Sequence, residues 1–188
     1  MNFMRGQQMI IHDPTLNNQN TTPPTPLRPP AAKQVWTVTS SDTPEHIIGW
    51  AAVAANGFDA LHFMAHGNKS WIKIGSSGFS WANVDLFSKL KGKIRCITFF
   101  SCMVGSDEAS HKGHSPIYGS KVADLTGAKV VAARQPQIYS WNASNVIDFG
   151  DFEGEVYVFS PGGSYSVYNS YNPFREQPKL NLETIIFN

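Results

Sequence analysis

"LHFMAHGN", residues Leu61 to Asn68, is an apolar run of strand length that stops at His66 and Gly67. A second run further along the chain, "ITFFSCMVG" over residues 97–105, stops in the same way at Ser101 and Cys102. Short apolar runs bounded by small or turn-forming residues are typical of buried β-strands. A histidine and a cysteine therefore each stand where a predicted strand ends, and the surrounding elements decide whether the two ends meet.

The segments around these two strands alternate between strand and helix patterns. Such alternation predicts an α/β fold with a mostly parallel sheet and helices on both of its faces. Near the end of the chain, "GEVYVFSPGGSYSVYN" (residues 154–169) predicts an antiparallel hairpin around Pro-Gly-Gly. The pattern predicts strands over residues 34–40, 59–67, 93–102 and 128–134, a small hairpin over 70–81, and helices over 41–57 (N-cap Ser41 or Asp42), 82–92 and 115–127.

Composition divides the chain into a leader and a domain. Residues 13–32 are rich in Pro, Thr and Asn and poor in apolar side chains, which is typical of a flexible or polyproline-like segment. We therefore expect a leader over residues 1–32 and a folded domain over residues 33–188. The 188 residues include only two cysteines, so no disulfide framework is expected.

The charge and hydropathy patterns exclude several classes of partner. Lys and Arg number 15 against 14 Asp and Glu, a balance that predicts binding neither to nucleic acid nor to an anionic membrane surface. No apolar stretch is long enough for a transmembrane helix, and the N-terminus lacks the apolar region of a signal peptide. We expect a cytoplasmic protein without membrane insertion, or one delivered by a secretion route without a cleaved signal peptide.

The two strand ends hold the residue types needed for nucleophilic catalysis. In open parallel α/β sheets, functional groups gather at the carboxyl ends of the strands, and sequential strands are often neighbours. There His66 could take the proton of the Cys102 thiol and later return it to a leaving amine. The N–H groups of Gly67 and Cys102 could stabilise the oxyanion, because Gly67 lets a substrate carbonyl approach the backbone.

These motifs resemble the caspase–hemoglobinase fold, clan CD of the cysteine peptidases. The chain is most similar to bacterial caspase-like domains of the gingipain and CHAT type, and "IYGSKVADLTGAKVVAAR" (residues 117–134) fits their pattern of a helix ending in Leu-Thr-Gly before a strand. The resemblance covers about residues 35–160. It implies a three-layer sandwich and a cysteine endopeptidase that acts on protein or peptide substrates through a thioester, without a cofactor. It also implies His66 as general base and acid, Cys102 as nucleophile, and Gly67 and Cys102 as oxyanion hole.

The specificity of such an enzyme stays open in the sequence. Phe100 and Ser101 precede the cysteine, where some members of the family carry an acidic residue that shapes the S1 pocket. Asp107 and Asp148 are candidates to bind a basic P1 side chain, as are Glu108 and Asp151. The leader and the missing signal peptide suit a bacterial effector or toxin. Two alternatives remain: a non-catalytic protein-interaction module with a vestigial dyad, and a transferase or non-peptide hydrolase with the same thioester chemistry.

Other conspicuous side chains have simpler interpretations. Cys96 lies in the middle of an apolar run and is expected to be a small core residue. His62 is expected to pack against a helix or the surface. His111 and His114 could form a zinc site with Cys102, but no CxxC pair or carboxylate cluster completes it, so we predict no metal. The aromatic residues of the hairpins are expected to cover sheet faces rather than to line substrate subsites: Trp71, Trp81, Tyr139 and Trp141.

Overall fold

Strands and helices alternate along the computed structural model, which describes residues 4–17, 33–106, 117–138, 140–141, 147–148, 152–169 and 178–187. Within these described ranges, three helices, a 3₁₀ segment (Trp81–Leu90) and a short 3₁₀ turn (Pro14–Asn17) accompany the strands. The strands are β1 (Met4–His12), β2 (Lys33–Thr37), β3 (Phe58–Met64), β4 (His66–Asn68), β5 (Trp71–Lys73), β6 (Ile94–Phe100), β7 (Lys129–Ala133), β8 (Ser140–Trp141), β9 (Ile147–Asp148), β10 (Val156–Phe159) and β11 (Tyr165–Tyr168). The helices are α1 (Pro44–Ala54), α2 (Ile117–Thr126) and α3 (Leu182–Phe187).

The central sheet has the strand order β2-β1-β3-β6-β7-β10-β11 within the described part of the chain. The strands from β2 to β7 in this order run parallel, whereas β10 pairs antiparallel with both β7 and β11. The predicted α/β class with a mostly parallel sheet is therefore confirmed. The predicted C-terminal hairpin is present as β10 and β11, but it extends the central sheet, and helix α3 follows it.

The N-terminal boundary of the domain differs from the prediction. We expected a leader over residues 1–32, but β1 is a strand inside the sheet, between β2 and β3. Met9 and Ile11 are fully buried in the core, which explains why this segment orders against its neighbours. The folded domain therefore begins before residue 33, and residues 18–32 lie outside the described ranges.

Helical segments cover one face of the sheet, and a smaller cluster covers the other. On the first face, α1, the 3₁₀ segment and α2 bury side chains such as Ile47, Phe87 and Val122 against the strands. On the second face, Ile185 and Ile186 of α3 pack with Phe100 and Val131. Helices thus lie on both faces, although α3 is a single short element of 6 residues.

The N-cap of helix α1 lies two residues after Ser41, the earlier of the two predicted N-cap positions. Its N-cap is Thr43, whose hydroxyl oxygen accepts the N–H of His46 at 3.2 Å, and neither Ser41 nor Asp42 has this role. Pro44 occupies the first turn, where a missing N–H costs nothing. Asp42 instead accepts the N–H of Thr39 at 2.6 Å, so its side chain stabilises the preceding turn.

The predicted hairpin over residues 70–81 forms only in part. Strand β5 pairs along its length with β4. Its contact with the far side of the Gly75–Gly78 turn is a single bridge, in which Ile72 and Phe79 exchange two hydrogen bonds of 2.9 Å. Gly75 and Gly78 both have positive φ, which glycine adopts without strain.

Candidate active site at the carboxyl edge of the sheet

The two strand ends singled out in the sequence lie side by side. Strands β3 and β6 are adjacent and parallel, and Met64 lies opposite Phe100 at their carboxyl ends. The main chain stays paired one residue further, because the Ala65 N–H donates to the Phe100 carbonyl at 3.3 Å. β3 ends at Met64, slightly earlier than predicted, and His66 opens the short strand β4. His66 and Cys102 thus follow neighbouring strands at the same edge.

Gly67 is the point of closest approach between the two ends. A Cβ atom at this residue would lie 2.6 Å from the Cys102 carbonyl oxygen and 2.8 Å from Ser101 Cβ. It would also lie 3.0 Å from Cγ2 of Val104. Separations below about 3 Å are not tolerated by a real side chain, so only glycine fits here. The His66–Gly67 segment therefore packs directly against the Ser101–Cys102 segment.

The exposed His66 ring is oriented by the main chain that follows β1. Its Nε2 atom lies 3.3 Å from the Thr15 carbonyl oxygen, in the 3₁₀ turn Pro14–Asn17. A carbonyl oxygen only accepts hydrogen bonds, so Nε2 carries the hydrogen in this contact. In the neutral ring Nδ1 is then the unprotonated nitrogen, which is the state that a general base requires.

The Cys102 thiol is half-buried and contacts the segment that follows β7. The Gln137 N–H donates to Sγ at 3.3 Å, and the Gln137 carbonyl oxygen lies 3.6 Å from Sγ. The next residue, Met103, has a φ of 57°, which is uncommon for a residue with a side chain, and its N–H donates to the Gln135 carbonyl at 3.1 Å. Among the described residues, no hydrogen bond joins the thiol to His66.

Cys96 is a core residue, as expected. It lies within β6, is fully buried, and forms no disulfide. Burial raises the pKa of the Cys96 thiol to about 12, because a thiolate in an apolar environment loses its hydration. Cys96 therefore stays protonated at neutral pH, and Cys102 is the better exposed thiol.

His62 is fully buried in the central sheet rather than exposed. Its Nε2 atom is 2.7 Å from Oε1 of Gln8, on the neighbouring strand β1. Its ring lies 5.6 Å from that of Phe100. The expectation that His62 lies at the surface is wrong, because β1, which was predicted to be part of the leader, lies beside β3 in the sheet. The alternative that His62 packs against a helix stays a prediction.

A third histidine, His12, went unnoticed in the sequence. It ends β1, is fully buried, and among the described residues neither of its ring nitrogens has a hydrogen-bond partner. Burial lowers the pKa of His12 to about 4, and the nearby Asp13 carboxylate opposes this shift only partly. The ring is therefore neutral in the folded protein at neutral pH. His12 lies inside the predicted leader over residues 1–32, so no sequence signal pointed to it.

His12 makes the protein less stable in acid. The pKa of His12 is lower in the folded than in the unfolded chain. Its contribution to the free energy of unfolding is therefore complete above about pH 6.5 and is lost as the pH falls towards 4. We expect the free energy of unfolding, measured in urea, to drop by about 2–3 kcal/mol between pH 7.5 and 4.5 through this residue. The His12→Leu variant should lack this part of the pH dependence, whereas His46→Ala, at an exposed ring, should retain it. An unchanged slope in His12→Leu would contradict the assignment.

The remaining predicted site residues cannot be placed around the thiol. Asp107, Glu108 and Asp151 lie outside the described residues, and so do His111, His114 and Tyr139. Asp148 ends β9 and pairs with Ser140 of β8 in a two-stranded sheet. Within the described ranges, no group of three His, Cys, Asp or Glu side chains could hold a metal ion. Trp81 opens the 3₁₀ segment and packs edge-on against the buried Tyr118 of α2.

Two contacts at the site involve residues outside the predicted set of site residues. The first is the Thr15 carbonyl, which comes from the predicted leader. The second is Gln137, which follows β7, the strand next to β6. The rule that parallel strands deliver their carboxyl ends to one edge also applies to β7, and it could have pointed to residues 134–138.

Across the described ranges, no helix combines the length and the apolar character needed to cross a membrane.

Comparison with other proteins does not identify the chain. Neither the models of known protein families nor the curated proteins contain a match to this sequence.

Proposed function

We propose that this chain is a caspase-like cysteine endopeptidase in which Cys102 attacks a peptide carbonyl and His66 transfers the proton. The observation that carries the proposal is the contact of Gly67 with the main chain of Cys102. This contact requires the base-bearing and nucleophile-bearing segments to lie against each other. The mostly parallel sheet with its antiparallel strands β10 and β11 supports the caspase-like architecture that the resemblance implies.

The first half of the reaction forms a thioester. His66 Nδ1 accepts the thiol proton, and the sulfur adds to the carbonyl carbon of the substrate. The negative charge that develops on the carbonyl oxygen is stabilised by the N–H groups of Gly67 and Cys102. The tetrahedral intermediate collapses with cleavage of the C–N bond, and the imidazolium donates its proton to the leaving amine.

The second half of the reaction releases the acyl group to water. His66 takes a proton from a water molecule, which adds to the thioester carbonyl. The C–S bond then breaks with release of the carboxylic acid, and the imidazolium returns its proton to the sulfur to regenerate the thiol. Through both halves the Thr15 carbonyl accepts the Nε2 hydrogen and stabilises the imidazolium. The sulfur must leave its contact with Gln137 and turn towards Nδ1, and such contacts often tighten only when substrate binds.

One observation favours the alternative of a non-catalytic interaction module. In the resting structure the thiol pairs with Gln137 and the imidazole with Thr15, rather than with each other. In that alternative the strand ends are a structural remnant, and the domain binds protein without cleaving it.

The proposed protease is a cytoplasmic protein, or a bacterial effector delivered without a cleaved signal peptide.

Thiol alkylation separates these two possibilities. We expect iodoacetamide to modify Cys102 of the folded protein at least ~100-fold faster than Cys96, because Cys96 is buried and protonated. The rate at Cys102 should fall in His66→Ala, which removes the base. Mass spectrometry of the two cysteine-containing peptides measures both rates. Equal and slow labelling of the two thiols would contradict a peptidase.

A further inference from the structure

The β4–β5 hairpin places a lysine directly across from the candidate base. In the antiparallel pairing of the two strands, His66 lies opposite Lys73, and Gly67 lies opposite Ile72. Residues directly opposite in such a pair have Cβ atoms about 4.5–5.5 Å apart and side chains on the same face. His66 and Lys73 are both exposed. The imidazole and the ammonium group therefore share one accessible face of the hairpin.

The register of this hairpin is fixed by its inner residues. Ile72 is fully buried in the core. Opposite it, Gly67 packs against the Cys102 carbonyl in a space that admits no Cβ atom. A slip of one residue would expose Ile72 and bury the Lys73 ammonium group, and both changes cost free energy. The pairing therefore holds Lys73 beside His66.

The positive charge of Lys73 is available to a ligand. Among the described residues, the ion pairs join other side chains and do not include Lys73. The carboxylate of Asp13, which precedes the turn that contacts His66, is buried and accepts the N–H of Thr15 at 2.8 Å. Residues 66–80, which contain the hairpin, include two lysines and no acidic residue. The exposed face of the hairpin is therefore basic.

We propose that Lys73 is a specificity-determining residue that binds an acidic side chain on the leaving-group side of the scissile bond. The inference rests on the proposed function, in which the His66 imidazolium donates its proton to the leaving amine. This step requires the ring to face that amine, so a group beside the ring lies along the part of the substrate that follows the scissile bond. An ammonium group there pairs with the carboxylate of Asp or Glu at P1′ or P2′.

The test is cleavage of a proteome-derived peptide library by the wild-type protein, Lys73→Met and Lys73→Glu. Mass spectrometry identifies the residues that follow each cleaved bond. We expect the wild-type protein to enrich Asp and Glu at P1′ or P2′ by about 3–5-fold over their frequency in the library, which is the upper part of the range for an exposed ion pair. The enrichment should disappear in Lys73→Met, and Lys73→Glu should enrich Lys and Arg instead. High salt should weaken both preferences, because it screens exposed charges.

The matched control is Lys69→Met, which removes the other cation of the hairpin, at its turn. This variant should retain the acidic enrichment, and circular dichroism checks that every variant is folded. Cleavage without acidic enrichment, an enrichment that survives in Lys73→Met, or an equal loss in Lys69→Met would overturn the inference and leave the proposed function standing. A wild-type protein that cleaves no peptide would contradict the proposed function, and the inference would fail with it.

Discussion

Replacing Cys102 by alanine is expected to abolish peptide hydrolysis, and replacing His66 by alanine to lower kcat/KM by about 10³–10⁴-fold. Without the sulfur no thioester can form. Without the imidazole the thiol keeps its proton and the leaving amine receives none. Because the P1 preference is open, the substrate is a proteome-derived peptide library of mixed composition, and mass spectrometry counts the new termini.

Matched controls for this experiment come from the other cysteine and an exposed histidine. Cys96→Ala changes a buried thiol within β6, the strand that precedes Cys102, and His46→Ala changes an exposed residue on α1. Both variants should retain cleavage of the same peptide bonds. Hydrolysis that survives in Cys102→Ala would show that the sulfur is not the nucleophile.

Replacing Gly67 by alanine is expected to separate the two strand ends. The new Cβ would fall 2.6 Å from the Cys102 carbonyl oxygen, a main-chain atom that cannot rotate away. Either the Cys102 turn or β4 must shift, and a displacement near 1 Å at a catalytic group typically costs about 10²-fold in rate. The oxyanion donors move as well, so we expect a total loss of about 10³-fold in kcat/KM.

The control for Gly67→Ala is Gly49→Ala. Gly49 lies inside α1, and a Cβ there would meet no atom within 4 Å. Alanine is the better helix former, so this variant should be as stable as the wild-type protein or slightly more stable, by about 0.5–1 kcal/mol. Thermal unfolding and the library assay measure both variants. Full activity in Gly67→Ala would contradict the packing of the two strand ends that carries the proposed function.

The sheet was largely predictable because its strands are short apolar runs between turn residues. This pattern predicted β3, β6 and β7, and it also predicted the hairpin of β10 and β11. β1 was not predicted, because its middle is polar: Gln8 is buried in the sheet, where its Oε1 accepts a hydrogen bond from His62 Nε2 on β3. Local sequence does not reveal a hydrogen-bond partner so distant in the chain, so β1 was predicted to be part of a leader.

The candidate site was predictable only where side chains carry the chemistry. His66, Gly67 and Cys102 could be selected by residue type and by their place after strands. The contacts around them are main-chain contacts: the Thr15 carbonyl at the imidazole and the Gln137 N–H at the sulfur. Every residue has a carbonyl and nearly every residue an N–H, so residue type does not distinguish these two positions, and the fold alone brings them to the site.

Covalent capture of the nucleophile is the most direct test of the proposed dyad of Cys102 and His66. A set of peptidyl acyloxymethyl ketones that differ at P1 is incubated with the folded protein, and the modified cysteine is identified by mass spectrometry. We expect an adduct on Cys102 and none on Cys96, and we expect the adduct to form far more slowly in His66→Ala. The absence of an adduct on Cys102 for every P1 residue, or an adduct formed equally fast in His66→Ala, would contradict it.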